Sequence, residues 1–245
     1  MTTLAADRLA VAWHDAECGS YRADLPLWRE LAEEVDGPLL DLGCGSGRVA
    51  LELAARGHEV TGVDSEAALV SALRSRATGL PVRAETADAR SLALGRRFVL
   101  ALAPMQVVQL MGGRAGRARL LDAAHRHLEP GGRLAVALAD PFEKLTPEQA
   151  LLPLPDVREK EGWVLSSRPV AVRAEEDGVA IDRVRQAVSP DGELTEELVT
   201  ILLDNLTPTE LAAEAADRGF EALPPRRVEA TADHTGSAVV MLRRL

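Results

Sequence analysis

The sequence is poor in cysteine and aromatic residues, and it lacks long apolar runs. Its 245 residues include two cysteines, and Cys18 and Cys44 form neither a CxxC pair nor a metal-ligand spacing. This argues against a disulfide framework or a cysteine-ligated metal site, and it favours a reducing compartment. No window reaches the roughly 18 consecutive apolar residues of a membrane span, and the N-terminus lacks the apolar stretch of a signal peptide. We therefore expect a cytoplasmic protein without a membrane partner or a metal.

Positive charge is also scarce. Lysine and arginine number 28 against 38 acidic residues, which gives a net charge of −10, and Lys144 and Lys160 are the only lysines. An acidic chain is a poor partner for phosphate backbones, so we do not expect a nucleic-acid partner. Hydrophobic residues make up 47% of the chain, enough for the core of one large α/β domain.

Apolar strands alternate with helices after a helical segment at residues 4–35, which is broken near Gly19. The strands are predicted at 38–42, 58–63, 81–85, 98–103 and 133–139. The helices between them are predicted at 49–56, 66–76 and 114–128. Pro130-Gly131-Gly132 is interpreted as a turn that closes the last of these helices. This alternation predicts a parallel sheet with helices on both faces.

The pattern changes after the fifth strand. Three strands with hairpin turns are predicted at 163–173, 179–189 and 193–203. A capping box from Thr207 to Glu210 then predicts a further helix, and two more strands follow. We interpret the chain as a single domain over 1–245, with a helical cover at 1–36 and an antiparallel β insertion at about 160–204.

A glycine-rich loop, LLDLGCGSG at 39–47, follows the first strand. Its alternate glycines let the backbone turn sharply and approach a ligand where a Cβ atom would clash. Asp64, at the end of the second strand, can accept hydrogen bonds from both ribose hydroxyls of a nucleoside. A dinucleotide fingerprint needs GxGxxG, but Arg48 stands at the last glycine position. Asp41 adds a negative charge that suits the sulfonium or ammonium group of S-adenosylmethionine better than a pyrophosphate.

Four stretches of the chain resemble the class I S-adenosylmethionine-dependent methyltransferases. They are LLDLGCGSG at 39–47, VTGVDS at 60–65, ADA at 87–89 and LEPGGRL at 128–134. Two weaker matches, SYRADL at 20–25 and APMQ at 103–106, resemble the small-molecule branch of this superfamily. The resemblance implies a Rossmann-like, seven-stranded, mostly parallel sheet with helices on both faces. It also implies S-adenosylmethionine as the cofactor and methyl transfer as the activity.

The same resemblance implies roles for the matched residues around the cofactor. Gly43, Gly45 and Gly47 would surround its methionine and ribose. Asp64 and Ser65 would bind the ribose hydroxyls, and Asp88 and Ala89 the adenine. Ala103 and Pro104 would lie near the sulfonium, and Tyr21 would cover the amino-acid end. Asp41 completes this predicted cofactor set. For Asp88, a helix cap or a surface acid remains the alternative role.

Candidates for binding the methyl acceptor lie on the N-terminal helix and after the fourth strand, at the rim where ligands of such sheets bind. They are Trp13, His14, Met105, Gln106 and Gln109. His14 is also the candidate catalytic residue, because the N-terminal helix covers the site in this family. The alternatives stay open: a tryptophan often belongs to the core, and a glutamine can cap local backbone groups.

We therefore predict methyl transfer to an oxygen or nitrogen atom of a small-molecule acceptor. An RNA or protein methyltransferase is an alternative, as is a catalytically inactive, cofactor-binding partner subunit. The sequence carries APMQ, and not an Asn-Pro-Pro-Tyr-type motif, after the fourth strand, which weakens an assignment to adenine N6 or glutamine amides. We place acceptor specificity in the N-terminal helices and the insertion, whose strand edges also offer a homodimer contact.

Overall fold

The computed structural model describes residues 6–139, 154–176, 178–231 and 236–245. The main sheet consists, from one edge to the other, of β10 (Phe220–Val228), β11 (Ser237–Arg244), β5 (Leu128–Ala139), β4 (Phe98–Ala103), β1 (Leu39–Leu42), β2 (Val60–Asp64) and β3 (Val82–Thr86). Strands β1 to β5 run parallel, β11 is antiparallel to β5, and β10 is antiparallel to β11. The predicted seven-stranded, mostly parallel sheet is confirmed.

Helices cover both faces of this sheet. They are α2 (Leu25–Glu33), α3 (Arg48–Ala54), α4 (Ala67–Arg76), α5 (Gly113–His127) and α6 (Pro208–Ala216), whereas α1 (Ala6–Glu17) packs against α4 and the strands inserted after the main sheet's fifth. One core contains Trp28, and the core on the other face contains Phe98 and Leu120. The predicted capping box is present, because the Thr207 hydroxyl accepts from the Glu210 N–H and the Glu210 carboxylate accepts from the Thr207 N–H. No helix in the described ranges is long and apolar enough to cross a membrane.

A second, antiparallel sheet follows β5. It consists of β6 (Asp156–Lys160), β7 (Trp163–Glu175), β8 (Gly178–Val188) and β9 (Leu194–Asp204). The antiparallel insertion is confirmed, but the prediction of three strands is wrong because β6 was missed. Its sequence, DVREK, is mostly charged and shows no apolar alternation. Pairing with β7 makes it a strand, so the sheet begins at Asp156 and not near residue 160.

Helix α1 packs against this insertion. Trp13 lies in a small apolar cluster with Leu165, and Glu17 accepts two hydrogen bonds of 2.7 Å from the Arg185 guanidinium. Burial opposes ionisation of Glu17, but the hydrogen bonds from Arg185 hold the pKa of its carboxyl below the ordinary value. The N-terminal helix and the insertion are therefore joined by both an apolar and an ionic contact.

The Pro130-Gly131-Gly132 segment differs from the predicted turn. Strand β5 already begins at Leu128, which pairs with Phe98, and the regular register resumes with Arg133 opposite Leu100. The segment is thus a bulge within the strand, where Gly131 adopts a φ of +78°. Glycine tolerates this left-handed conformation without a Cβ clash.

Candidate functional site

The strand order reverses between β1 and β4, and ligands of doubly wound sheets bind beyond the carboxyl ends of the strands at this point. A cavity of about 390 Å³ opens there, within the size range of small-molecule sites. It is lined by seven residues of the predicted cofactor set, namely Asp41, Gly43, Asp64, Ser65, Asp88, Ala89 and Pro104. Three predicted acceptor-binding residues, His14, Met105 and Gln106, line it as well.

Asp64 is held in a fixed orientation at the end of β2. One carboxylate oxygen accepts a hydrogen bond of 2.9 Å from the Gly45 N–H, and the other accepts one of 2.9 Å from the Glu66 N–H. Each carboxylate oxygen can accept a further hydrogen bond. Asp64 therefore links the strand end to the glycine loop and keeps acceptor capacity for hydroxyl groups in the cavity.

Asp41 is a buried carboxylate that lines the cavity. It is 1% exposed, and neither oxygen makes a hydrogen bond with the described residues. Burial raises its pKa to about 7, and the charge of Arg48 and the nearby backbone N–H of Ala50 offset only part of this effect. Arg48 is already engaged by Asp24, with contacts of 2.5 and 2.7 Å. Because an unpaired buried charge is costly, Asp41 fits a cationic ligand group such as the ammonium of S-adenosylmethionine.

The glycine loop turns through left-handed residues at Gly43, Gly45 and Gly47, with φ of +67°, +53° and +102°. A Cβ atom on Gly45 would lie 2.2 Å from Nε2 of His14, and one on Gly43 would lie 2.5 Å from a methyl group of Val107. Close approach of protein side chains thus requires glycine here in addition to the backbone conformation. Gly43 lines the cavity, whereas Gly45 lies beneath the His14 ring and Gly47 against a leucine of α4.

His14 reaches the cavity from α1. Its Nδ1 lies 3.3 Å from the Ser46 hydroxyl oxygen. Burial lowers the pKa of His14 and outweighs the opposing charge of Asp15, so the imidazole is neutral near pH 7. A neutral imidazole keeps one nitrogen that can accept a proton.

Met105 follows β4 and Pro104 at the cavity edge. It adopts a φ of +57°, a left-handed conformation that is costly for a residue with a side chain. Such residues cluster at ligand sites, where the surrounding structure holds them in place. The strained backbone at Met105 therefore supports a ligand-binding role for the turn after β4.

Asp88 makes local contacts beside the cavity. Its carboxylate accepts from the Arg90 backbone N–H at 2.8 Å and from the Arg90 guanidinium at 2.7 to 3.0 Å. The guanidinium holds the pKa of the Asp88 carboxyl below its usual range. Asp88 also caps the short 3-10 helix Ala89–Ser91, which is the alternative role that the sequence left open. Its predicted contact with adenine stays a prediction.

Besides Gly45 and Gly47, four predicted site residues do not line the cavity, namely Ala103, Tyr21, Trp13 and Gln109. Ala103 is fully buried within β4. Tyr21 packs under Arg48, whose guanidinium carbon lies 5.2 Å from the ring centroid, and burial raises the Tyr21 pKa to about 12. Trp13 belongs to the contact between α1 and the insertion. The side chains of Ala103, Tyr21 and Trp13 therefore pack around the site and do not line it.

Gln109 requires a clearer correction. Its amide nitrogen donates to the carbonyls of Ala139 at 2.9 Å and Asp204 at 3.4 Å, and its amide oxygen accepts from the Ala139 N–H at 2.9 Å. Gln109 is buried and does not line the cavity. It joins the end of β5 to the end of β9, and thereby holds together the two attachment points of the insertion.

None of the described insertion residues lines this cavity, since the lining residues fall between His14 and Met111. The insertion meets the site through α1, which carries His14. Side chains that sequence reasoning missed include Cys18, Val107, Leu110 and Met111. From the sequence alone, Val107, Leu110 and Met111 cannot be distinguished from core residues. Their position after β4 was the only indication that they belong to the site. In the described part of the chain, no group of three acidic, histidine or cysteine residues could hold a metal.

Comparisons with known proteins agree with this geometry. A family model described as a methyltransferase domain matches residues 39–132. The cypemycin N-terminal methyltransferase of a Streptomyces species is 30% identical over 122 residues, 49% of this chain and 50% of that protein. The chain thus spans about half the length of this curated relative.

Two solved structures share the fold over nearly the whole chain. The sugar N-methyltransferase KedS8 of a Streptoalloteichus species has a TM-score of 0.75 at 23% identity, over 100% of this chain and 98% of that one. CalS10, an amino pentose methyltransferase of Micromonospora echinaspora, has a TM-score of 0.69 at 22% identity, over 100% of both chains.

The doubly wound sheet, the glycine loop and the cavity at the switch point define an α/β domain of the nucleotide-binding class. Within this class, residues 39–132 match a methyltransferase domain, in agreement with the class I S-adenosylmethionine-dependent motifs of the sequence. S-adenosylmethionine is the cofactor indicated for it, and the unpaired Asp41 and the anchored Asp64 fit that cofactor.

Proposed function

We propose that this protein transfers the methyl group of S-adenosylmethionine to a nitrogen or oxygen atom of a small-molecule acceptor. The observation that carries the proposal is Asp41, a buried carboxylate without a hydrogen bond to the described residues, in the same cavity as Asp64. One carboxylate suits an ammonium group and the other suits ribose hydroxyls. S-adenosylmethionine carries both groups, whereas a nicotinamide dinucleotide would bring a pyrophosphate towards Asp41.

When bound, the cofactor supplies a methyl group activated by a positively charged sulfur. The chain has to hold this group, align the acceptor with it and exclude water. We assign the ammonium to Asp41, the ribose to Asp64 and Ser65, and the adenine to Asp88 and Ala89. Apolar side chains that line the same cavity, such as Met111, suit the faces of a purine ring.

The acceptor side of the cavity is assigned to His14, Met105 and Gln106. Held by these residues, the acceptor would face the methyl group of bound cofactor, and the departing sulfur would keep the electron pair of the broken carbon–sulfur bond. The acceptor nitrogen or oxygen then has to lose a proton, which the neutral His14 imidazole can take. The descriptions of KedS8 and CalS10 as methyltransferases of a sugar nitrogen and of an amino pentose support a nitrogen acceptor on a small molecule.

An N-terminal amine of a peptide or protein is the second candidate acceptor. It is favoured by the relative described as a cypemycin N-terminal methyltransferase. RNA is disfavoured by the net charge of −10, because the protein would have to approach a polyanion.

Methyl-labelled cofactor separates these candidates. The purified protein is incubated with a metabolite extract, a peptide pool or RNA, and Asp64→Ala serves as the control with weakened cofactor binding. Label in a small product supports the proposal, and label in peptide or RNA replaces it with the corresponding alternative. Cofactor binding without any labelled product would identify a catalytically inactive partner subunit.

We further propose that residues 1–245 form one domain in the cytoplasm and that a second copy docks on the insertion. Strand β9 is an edge strand, and its Leu194, Leu198 and Leu202 are 59%, 65% and 56% exposed. Alternation along a strand puts all three on one face, and exposed apolar edges invite pairing. Sedimentation of the wild type and of Leu198→Lys tests this, since only the wild type should dimerise.

A further inference from the structure

A second cavity, of about 360 Å³, lies against the glycine loop. Four elements that are distant in sequence each contribute an arginine to it: Arg22 follows α1, Arg48 begins α3, Arg76 ends α4 and Arg158 lies in β6. The backbone of the loop also lines it at Gly47. A cluster of four arginines is unusual in a chain whose net charge is −10.

Two of the charged residues in this cavity are neutralised by partners outside it. Arg48 is paired with Asp24, with a shortest contact of 2.5 Å. Glu52, which also lines the cavity, is paired with Arg29 and Arg56 at 2.8 and 3.2 Å. Three arginines then face a single carboxylate, that of Asp15, so the cavity keeps an excess of positive charge.

Asp15 positions two of these arginines. It is 4% exposed and accepts from Arg76 at 2.9 and 2.5 Å and from the Ser46 hydroxyl at 2.6 Å, and Arg158 lies 3.3 Å away. Burial opposes ionisation of Asp15, but the Arg76 and Ser46 hydrogen bonds hold its pKa below the ordinary value. A guanidinium has five N–H donors, so Arg76 and Arg158 retain donors beyond those that bind Asp15.

Arg22 has no part in this network. Its side chain is exposed and makes no hydrogen bond or ion pair to the described residues, yet it lines the cavity. The ion pairs that join α1 to α4 and β6 are complete without Arg22. Arg22 therefore supplies a free guanidinium beside two that are already oriented.

We propose that this cavity is a binding site for the phosphate group of a small phosphorylated molecule. Guanidinium groups match phosphate oxygens in geometry and charge. The volume is close to that of the cofactor cavity, so the site has room for an organic phosphate and not only for an inorganic ion. The site is separate from the cofactor cavity, with which it shares only the Arg48 side chain among the lining residues.

Calorimetric titration of the full chain with inorganic pyrophosphate and with glucose 1-phosphate tests the proposal. Saturating S-adenosylhomocysteine keeps the probes out of the cofactor cavity. We expect binding of at least one probe in low salt, weakened at least about fivefold by Arg22→Gln and about tenfold by Arg158→Gln. Arg168→Gln, an equal change of charge at an exposed position of β7, is the matched control and should bind as the wild type does. Stronger binding of glucose 1-phosphate would identify an organic ligand, and stronger binding of pyrophosphate an inorganic one.

Since the Arg22 side chain makes no described hydrogen bond or ion pair, Arg22→Gln should fold as the wild type does, which circular dichroism can verify. Absence of binding by both probes would overturn the proposal and leave the arginines as structural ion pairs. An equal loss of probe affinity in Arg22→Gln and Arg168→Gln would also overturn the proposal, because it would show that the probes are attracted by the overall charge alone.

Discussion

Replacing Asp41 with asparagine should stabilise the protein at alkaline pH and weaken its binding of cofactor. Burial raises the pKa of Asp41 from 3.8 to about 7, so between these values the folded state holds more protons than the unfolded chain. Stability is therefore lost as the pH rises through this window. Asparagine is close in shape and has no charge to bury, so the variant escapes this loss.

The magnitude follows from the pKa. One pKa unit corresponds to about 1.4 kcal/mol, so the ionised carboxylate costs the folded protein about 4 kcal/mol above pH 7. Part of this cost is already present at pH 5. The free energy of unfolding of Asp41→Asn, relative to wild type, should thus increase by about 2–3 kcal/mol from pH 5 to pH 8. Cofactor binding should weaken by about 2–4 kcal/mol, because the ammonium group loses its charged partner.

Urea denaturation at pH 5 and pH 8, without cofactor, measures the first effect, and calorimetry with S-adenosylmethionine measures the second. Thr61→Val is the matched control. Thr61 is also buried, and its hydroxyl also has no hydrogen-bond partner among the described residues, but it does not titrate and does not line the cavity. It should change stability equally at both pH values and leave cofactor binding unchanged.

A pH-independent difference between Asp41→Asn and wild type would refute the electrostatic argument. An unchanged dissociation constant would refute the assignment of Asp41 to the ammonium group. A gain in stability together with a loss of binding is the result that a merely structural carboxylate would not give.

Three further predictions follow from the same cavity. Asp64→Ala should weaken cofactor binding by about 2–4 kcal/mol but cost stability only about 1–2 kcal/mol, for its two backbone hydrogen bonds; an unchanged affinity in a folded variant would contradict the ribose assignment. Calorimetry with a nicotinamide dinucleotide should detect no binding, and micromolar affinity for it without affinity for S-adenosylmethionine would reverse the cofactor assignment. A Gly-Ser linker in place of residues 156–203 should abolish turnover, because α1 and His14 lose their support, yet leave a compact protein that binds cofactor. Unfolding of this deletion variant, seen by circular dichroism, would make the insertion part of the core.

The sequence was most informative where the structure depends on neighbouring residues. The glycine loop and Asp64 could be predicted because a strand, a tight turn and a helix start follow one another directly. The role of Gln109 could not, since its partners Ala139 and Asp204 lie 30 and 95 residues away. Strand β6 was missed because its residues are charged and only pairing with β7 defines it. The carboxylate of Asp41 was noticed, but its lack of a partner is a property of the packed structure.

The contact between α1 and the insertion also bears on the order of folding. Glu17 and Arg185 are separated by 168 residues, so on the ribosome the helix is made long before its ionic partner exists. Contacts between such distant residues are slow to form, because a long chain has to close on itself. The early strands of the sheet can pair before β8 is synthesised, and until then α1 lacks its ionic partner Arg185. His14 should therefore settle over Gly45 late, and the cofactor cavity should acquire its α1 side only after most of the chain has been synthesised.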